Sequence, residues 1–266
     1  MVKSMATCLG LLLLLRAAPL HAQDAAAFDR PGIGFASTTV PRGSLAWEQG
    51  LADVATNHDA NGRQRQWVAD TLLRYGLRDG LELQLGADSY AWQHVSDAGG
   101  HWRAQGMGNS RLGLKASLPG RTDAFSWAML ATASLPTGRA PIGGGTRGYD
   151  LGITAQWAMA NDRSFALYAD RSFGPEHGWM LSPSYNFNLS QHWASYLEAG
   201  IGSGSQQGRM LGSGLTWQPN PRFQLDVSAL RGVRGAADWH AGLGVSLLIQ
   251  QRGRITPRCG HQWLRP

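Results

Sequence analysis

Twelve times along this chain, apolar residues recur at nearly every second position for about ten residues before a connection intervenes. The stretch from Trp67 to Trp92 shows the pattern most plainly. Trp67, Ala69, Leu73, Tyr75 and Leu77 alternate with polar or small residues, with Thr71 the one weakly polar member of their face. After Arg78-Asp79-Gly80 the alternation resumes with Leu81, Leu83, Leu85 and Ala87. A period of two places each set on one face of a strand, and Asp-Gly supplies the positive φ that a tight hairpin requires. The opposite face carries Asp70, Arg74, Glu82, Gln84 and Asp88. A dry core does not accept that much charge unpaired, so this face meets bulk water or lines a wet interior.

The expected strands cover 44–55, 65–77, 81–92, 110–118, 124–135, 149–159, 164–172, 179–189, 193–201, 209–218, 223–231 and 239–249. Each is near the roughly 9–11 residues that a tilted strand needs to cross a bilayer, whereas strands of soluble sheets average about 5–6. Tight connections at 78–80, 119–123, 160–163, 190–192 and 219–222 alternate with mostly longer ones at 57–64, 93–109, 136–148, 173–178, 202–208 and 232–238. Periplasmic turns and external loops of a membrane barrel alternate in this way.

The aromatics of the apolar faces gather at the strand ends. Trp47, Tyr75, Trp127, Trp157, Tyr185, Trp193, Trp217 and Phe223 lie near the short turns, and Trp67, Tyr149, Trp179 and Trp239 near the long loops. Two girdles bounding an aliphatic band are what two membrane interfaces select. Because sheet edges cannot stay unpaired in hydrocarbon, the first strand must pair with the last. The expected fold is therefore all-β: a twelve-stranded antiparallel transmembrane β-barrel, an up-and-down meander forming one domain over 44–249.

Residues 1–22, with Lys3, the apolar run Leu9 to Leu15 and the small Ala22, read as a secretory signal peptide. Residues 23–43 form an extended lead-in without a period, and 250–266 a basic tail. The net charge of +6 is concentrated at these ends. Lys3, Arg16, Arg252, Arg254, Arg258 and Arg265 account for six of the 24 basic residues, leaving 18 against 18 acids. A nucleic-acid partner then has no electrostatic basis. Cys8 and Cys259 fall in the leader and the tail, so no disulfide is expected within the barrel.

The faces opposite the aliphatic band hold Glu48, Asp70, Arg74, Glu82, Gln84, Asp88, Arg111, Lys115, Asp150, Gln156, Asp170, Glu198, Gln224, Asp226 and His240, with many glycines between them. Twelve strands lie between the eight whose interior side chains fill and the sixteen or more that leave a wide channel. The lumen is expected to be a narrow water-filled path or a socket for another segment, and 23–43 is the nearest candidate plug. Arg74 and Glu82 sit diagonally across the first hairpin, with Arg111 and Lys115 on the next strand, so a salt-bridge network that fixes register is expected. Each of these charges is a candidate for either scaffold or selectivity filter.

Chemistry finds little to work with. His240 is the one histidine in an expected strand; His58, His94, His101 and His177 fall in loops and His192 in a turn. The lipid-facing Ser89, Ser195 and Ser213 have no histidine expected beside them, so the nucleophile-and-base arrangement of a hydrolase is lacking. His94, Asp97 and His101 form only a weak metal-binding pattern, and Gly143-Gly144-Gly145 lacks the Lys-Ser/Thr of a phosphate cradle. No enzyme, cofactor or metal is expected.

Several of these stretches resemble a known family: FDRPGIGFASTTVPRGSLAWEQG, LLRYGLRDGLELQLG, GMGNSRLGLKASL, YDLGITAQWAMANDRSFAL and SPSYNFNLSQHWASYLEAG. Over about 29–249 they are similar to the outer-membrane β-barrel transporters of the meta-pathway of phenol degradation. The most specific points are Asp29-Arg30-Pro31, Val40-Pro41 through Glu48, and Leu73 to Leu77 leading into Glu82-Leu83. The resemblance implies a channel in the outer membrane of a Gram-negative bacterium, passing small hydrophobic or aromatic solutes, with lipid and the barrel-assembly machinery as further partners. It also implies a terminal strand ending in an aromatic residue, whereas this chain passes Leu247-Leu248-Ile249 and continues. The alternative is a plugged structural or surface-binding barrel acting through its external loops.

Overall fold

A computed structural model describes residues 28–249 except 60–61, 119, 121, 176 and 236–237. The expected signal peptide, the first part of the lead-in and the basic tail lie outside the described residues. The strands are β1 Leu45–Gly50, β2 Asp53–Asp59, β3 Gly62–Arg78, β4 Leu81–Asp97, β5 Gly100–Gly106, β6 Ser110–Leu118, β7 Phe125–Leu135, β8 Gly148–Met159, β9 Arg163–Phe173, β10 Gly178–Asn188, β11 Trp193–Gly204, β12 Gly208–Asn220, β13 Phe223–Arg234 and β14 Trp239–Ile249.

These fourteen runs are twelve staves. β1 and β2 form one, interrupted at Leu51-Ala52, where Leu51 N still donates to Leu243 O at 2.8 Å. β5 and β6 form another, interrupted at Met107–Asn109, where Gly108 N donates to Asp88 O at 2.8 Å. Neighbours pair antiparallel, and β1 meets β14 in register from Leu45↔Ile249 to Gly50↔Gly244, which closes the barrel. Turn chemistry follows the sequence: Gly80 takes φ 76°, and Asn161 and Asp162 take φ 61° and 53° in the β8–β9 turn. Asn and Asp are the side chains that tolerate this region best.

The burial pattern is inverted relative to a soluble domain. Leu85, Leu197 and Leu211 are 51%, 55% and 57% exposed, while Glu48, Arg74, Glu82 and Lys115 are 0% exposed. Burying charge while exposing leucine is favourable only where the outer solvent is itself apolar. At the short-turn end the rings touch in chains, Phe125–Trp157–Phe165 and Trp193–Trp217–Phe223, with centroids 5.2 to 6.3 Å apart.

Two expectations are corrected. β3 and β4 run for 17 residues each, longer than 65–77 and 81–92, and the supposed loops 57–64 and 93–109 are largely sheet. β2, β3, β4 and β5 continue as a four-stranded flap, with Arg65 opposite both Thr56 and His94, and His94 opposite Arg103. Above the bilayer both faces of a ribbon meet water, so no apolar alternation marks the strand. A bulge at Ser89, where the β3–β4 register slips between Ala69 and Asp70, also shifts the phase and turns Trp92 to the outer face beside Trp67.

Candidate functional site: the charged lumen and the segment docked in it

The lead-in does not hang outside the barrel. Between Phe28 and Gly43 it lies against the inner faces of the staves and is held by three sets of contacts. In the first, Arg74 on β3 donates from Nε to Glu82 Oε1 at 2.8 Å, from Nη2 to Glu82 Oε2 at 3.0 Å and from Nη1 to Glu48 Oε1 at 2.8 Å. Asp29 enters this network: its Oδ1 is 3.3 Å from Arg74 Nη1 and 2.7 Å from Lys115 Nζ, and its Oδ2 accepts from Gln84 Nε2 at 3.0 Å. Glu48 receives the backbone N–H groups of Asp29 and Arg30 at 3.0 and 2.8 Å, and Glu82 Oε2 receives that of Val40 at 2.6 Å. Burial alone would raise the Asp29 carboxyl, but the charges of Arg74 and Lys115 beside it hold it below its ordinary value of 3.8.

In the second set, Arg30 reaches across to Asp53 at 3.0 Å, Asp70 at 3.0 Å and Asp226 at 3.5 Å. Gln224 Nε2 donates to the Arg30 carbonyl at 2.9 Å. In the third, Ile33 N donates to Glu198 Oε2 at 2.9 Å, Phe35 packs edge-on against Tyr168, and the Ser37 hydroxyl meets those of Ser126 and, as donor, the Gln156 carbonyl oxygen at 2.8 and 3.1 Å. Phe35 also lies under Lys115 Nζ at 5.1 Å. Removing one partner of such buried charge sets leaves the other uncompensated, so their main effect is to fix one position for the segment.

The remaining inward charges stand apart from these contacts. Arg111 and Asp88 pair at 3.2 Å but are 44% and 31% exposed, which makes the pair energetically minor. Asp170 accepts from Gln206 Nε2 at 3.1 Å. Asp150 is half-buried on β8 opposite Thr132 and Ser172. His240 is half-buried on β14 opposite Ala55 and Leu230. It lines a cavity of about 270 Å³ with Asp53, Gln66, Asp70, Asp88 and Arg111.

A second cavity, of about 320 Å³, runs between the lead-in and strands β8 to β12. Phe28, Phe35, Tyr168 and Tyr196 give it aromatic surface; Ser164, Ser182, Ser184, Asn186 and Thr216 give it hydroxyl and amide groups. The lipid-facing serines find no base: Ser195 donates to Gly214 O at 2.8 Å and Ser89 meets Thr71 Oγ1. His94 stacks edge-on with Trp92 and His101.

Asp29, Arg30 and Asp53 are the members of these contacts that alternation does not reveal. Asp29 and Arg30 precede every periodic segment, and the signal for them is their place in the Asp-Arg-Pro opening shared with the resembling family. Asp53 follows the interruption of the first stave, where the phase is lost.

A closed twelve-stave wall, aliphatic outside and charged inside, ringed by aromatics, is an outer-membrane β-barrel. The chain belongs to the family described as "Putative MetA-pathway of phenol degradation", whose model matches residues 28–249. In fold it is similar to an outer membrane channel from Pseudomonas putida F1, at TM-score 0.63 and 13% identity over 80% of this chain and 98% of that one. It is also similar to the KdgM porin, at TM-score 0.50 and 11% identity over 77% and 98% of the two chains. The β-domain of the Bordetella autotransporter BrkA gives TM-score 0.50 and 12% identity over 77% and 99%. No curated protein matches the sequence.

Proposed function

We propose that the protein is a passive, non-catalytic outer-membrane channel for small solutes, in which the docked lead-in sets the width of the path. The observation that carries this reading is the cavity of about 320 Å³ left between that segment and the staves. Its volume is at the lower end of the roughly 300–1,000 Å³ usual for small-molecule sites, and its lining combines ring faces with hydroxyl groups. A small aromatic compound bearing a polar group matches that lining. The family description, which refers to phenol degradation, and the fold shared with an outer membrane channel support the same reading.

The contacts of Asp29 and Arg30 favour a second reading, a closed barrel working through its external surface. Planar-bilayer recordings and liposome uptake of small phenols separate the two. A channel conducts and admits solute, more freely after deletion of 28–43. A protein silent in both forms is not a channel.

A further inference from the structure

The flap formed by β2, β3, β4 and β5 has one face continuous with the lipid-facing wall. On β3, Trp67, Arg65 and Arg63 follow one another at alternate positions, all exposed and on the side of the outward Leu73 and Tyr75. Cross-strand partners extend this face sideways. Trp67 is opposite Trp92, Arg65 is opposite His94, which is opposite Arg103, and Arg63 is opposite Ser96, which is opposite His101. His58 lies on the same face opposite Arg63. Rings climb it in contact: Trp67 to Trp92 at 6.5 Å, Trp92 to His94 at 5.9 Å, His94 to His101 at 6.2 Å.

Two properties together mark this face. It carries three arginines and three imidazoles with no carboxylate in those rows. Arg63, Arg65 and Arg103 have neither a carboxylate partner nor a ring beneath them among the described residues. Two arginines near the same rim on other staves are engaged with rings: Arg231 sits over Trp239 at 4.7 Å and Arg171 over Phe173 at 6.0 Å.

Height decides what these free cations meet. The Trp67–Trp92 row belongs to the outer aromatic girdle, which marks the interface. Two residues further along a strand is about 7 Å, and the headgroup layer on each side of a bilayer is roughly 5–8 Å thick. Arg65, His94 and Arg103 therefore stand at headgroup height, facing the lipid, with Arg63 and His101 one step above. Guanidinium groups bind phosphate through paired donors.

We propose that this face of the flap is a docking surface for a phosphorylated glycolipid of the outer leaflet, of the lipid A type: the acyl chains lie against the aliphatic wall and the sugar phosphates against Arg65, Arg103 and Arg63. The proposal is independent of whether the lumen conducts.

The test uses the full-length protein in neutral detergent, titrated with bisphosphorylated lipid A and with the same lipid A after removal of its phosphates. Binding is read by native mass spectrometry. The phosphorylated lipid binds the tighter of the two. Replacing Arg63, Arg65 and Arg103 by Gln weakens it by about fivefold per arginine, about a hundredfold together, and leaves the dephosphorylated lipid unchanged. A barrel that resists SDS until heated shows the variant to be folded, and the two-lipid comparison on the unsubstituted protein needs no variant. Equal affinity for the two lipids overturns the proposal, as does undiminished binding by the triple variant. Displacement of the lipid by millimolar inorganic phosphate also overturns it, because the surface would then be a soluble-anion site.

Discussion

Replacing Arg30 by Gln tests the docking of the lead-in directly. Its guanidinium donates to both Asp53 oxygens at 3.0 and 3.1 Å and to Asp70 at 3.0 Å, and lies 3.5 Å from Asp226. The Arg30 side chain is 14% exposed and that of Asp226 0%. Truncating one partner of a buried, hydrogen-bonded charge pair costs about 2–5 kcal/mol. Here the loss also leaves three carboxylates facing one another, while water in the adjacent cavity softens that repulsion. A cost of about 3 kcal/mol multiplies the undocked population roughly 150-fold. Asp29 keeps its contacts with Arg74 and Lys115, and Val40 its bond to Glu82, so only the part of the lead-in around residues 30–36 is released. Thiol labelling of an Ile33→Cys probe, with Cys259 replaced by Ser, reads that release, and single-channel recordings read its effect on opening. Labelling at least ten times faster, with more frequent openings, is the expected result. A folded variant that labels and opens like the unsubstituted protein refutes the docking role of Arg30.

The other predictions concern the same lumen and its entrance. The Asp29 carboxyl is lowered in the folded protein, so its contribution to docking is complete above its ordinary value and lost as pH falls through the folded one; Ile33→Cys labelling should rise further as pH falls below about 4. The inner faces and lead-in carry Arg30, Arg42, Arg74, Arg111 and Lys115 against Asp29, Glu48, Asp53, Asp70, Glu82, Asp88, Asp150, Asp170, Glu198 and Asp226, so the reversal potential in a potassium chloride gradient should show cation preference, and anion preference would contradict the lumen assignment. A methyl added at Gly76 would run into the carbonyl oxygens of Val40 and Pro41, so Gly76→Ala should lower stability by about 1–3 kcal/mol, read as a lower heating temperature for loss of the SDS-resistant form. Ser37 and Ser126, with hydroxyls 2.8 Å apart, should form a disulfide when both become Cys, and conductance should then rise on reduction.

Much of this architecture was legible because the outer solvent imposes a strict rule. Leu81, Leu83 and Leu85 must face lipid together, which forces Glu82 and Gln84 inward. The diagonal from Arg74 to Glu82 follows from hairpin register and appears as two hydrogen bonds of 2.8 and 3.0 Å. What alternation cannot report is any segment with the same solvent on both sides. Residues 28–43 lie in a wet lumen, where a glycine, a proline or a serine serves equally, so their path had no period to betray it. Asn57 and Gln64 of the flap, paired across β2 and β3, carry no apolar alternation and read as loop. Ser89 adds one residue to its strand and reverses the phase beyond it, so alternation counted from Leu81 does not report the face of Trp92. Asp53 was hidden for the same reason, one residue past the gap at Leu51-Ala52.

The flap gives the barrel a lopsided rim. β3 and β4 carry on for about five residues past the Trp67–Trp92 row, a rise of about 17 Å, whereas β10 across the barrel and β14 beside the flap begin at Gly178 and Trp239, level with the girdle. The tip between Asp97 and Gly100 thus stands above the girdle, within reach of an antibody, a phage tail or a protease at the cell surface. A short epitope spliced there should be displayed on intact cells while leaving every lumen contact in place, because the nearest of those contacts lies on the far side of the girdle.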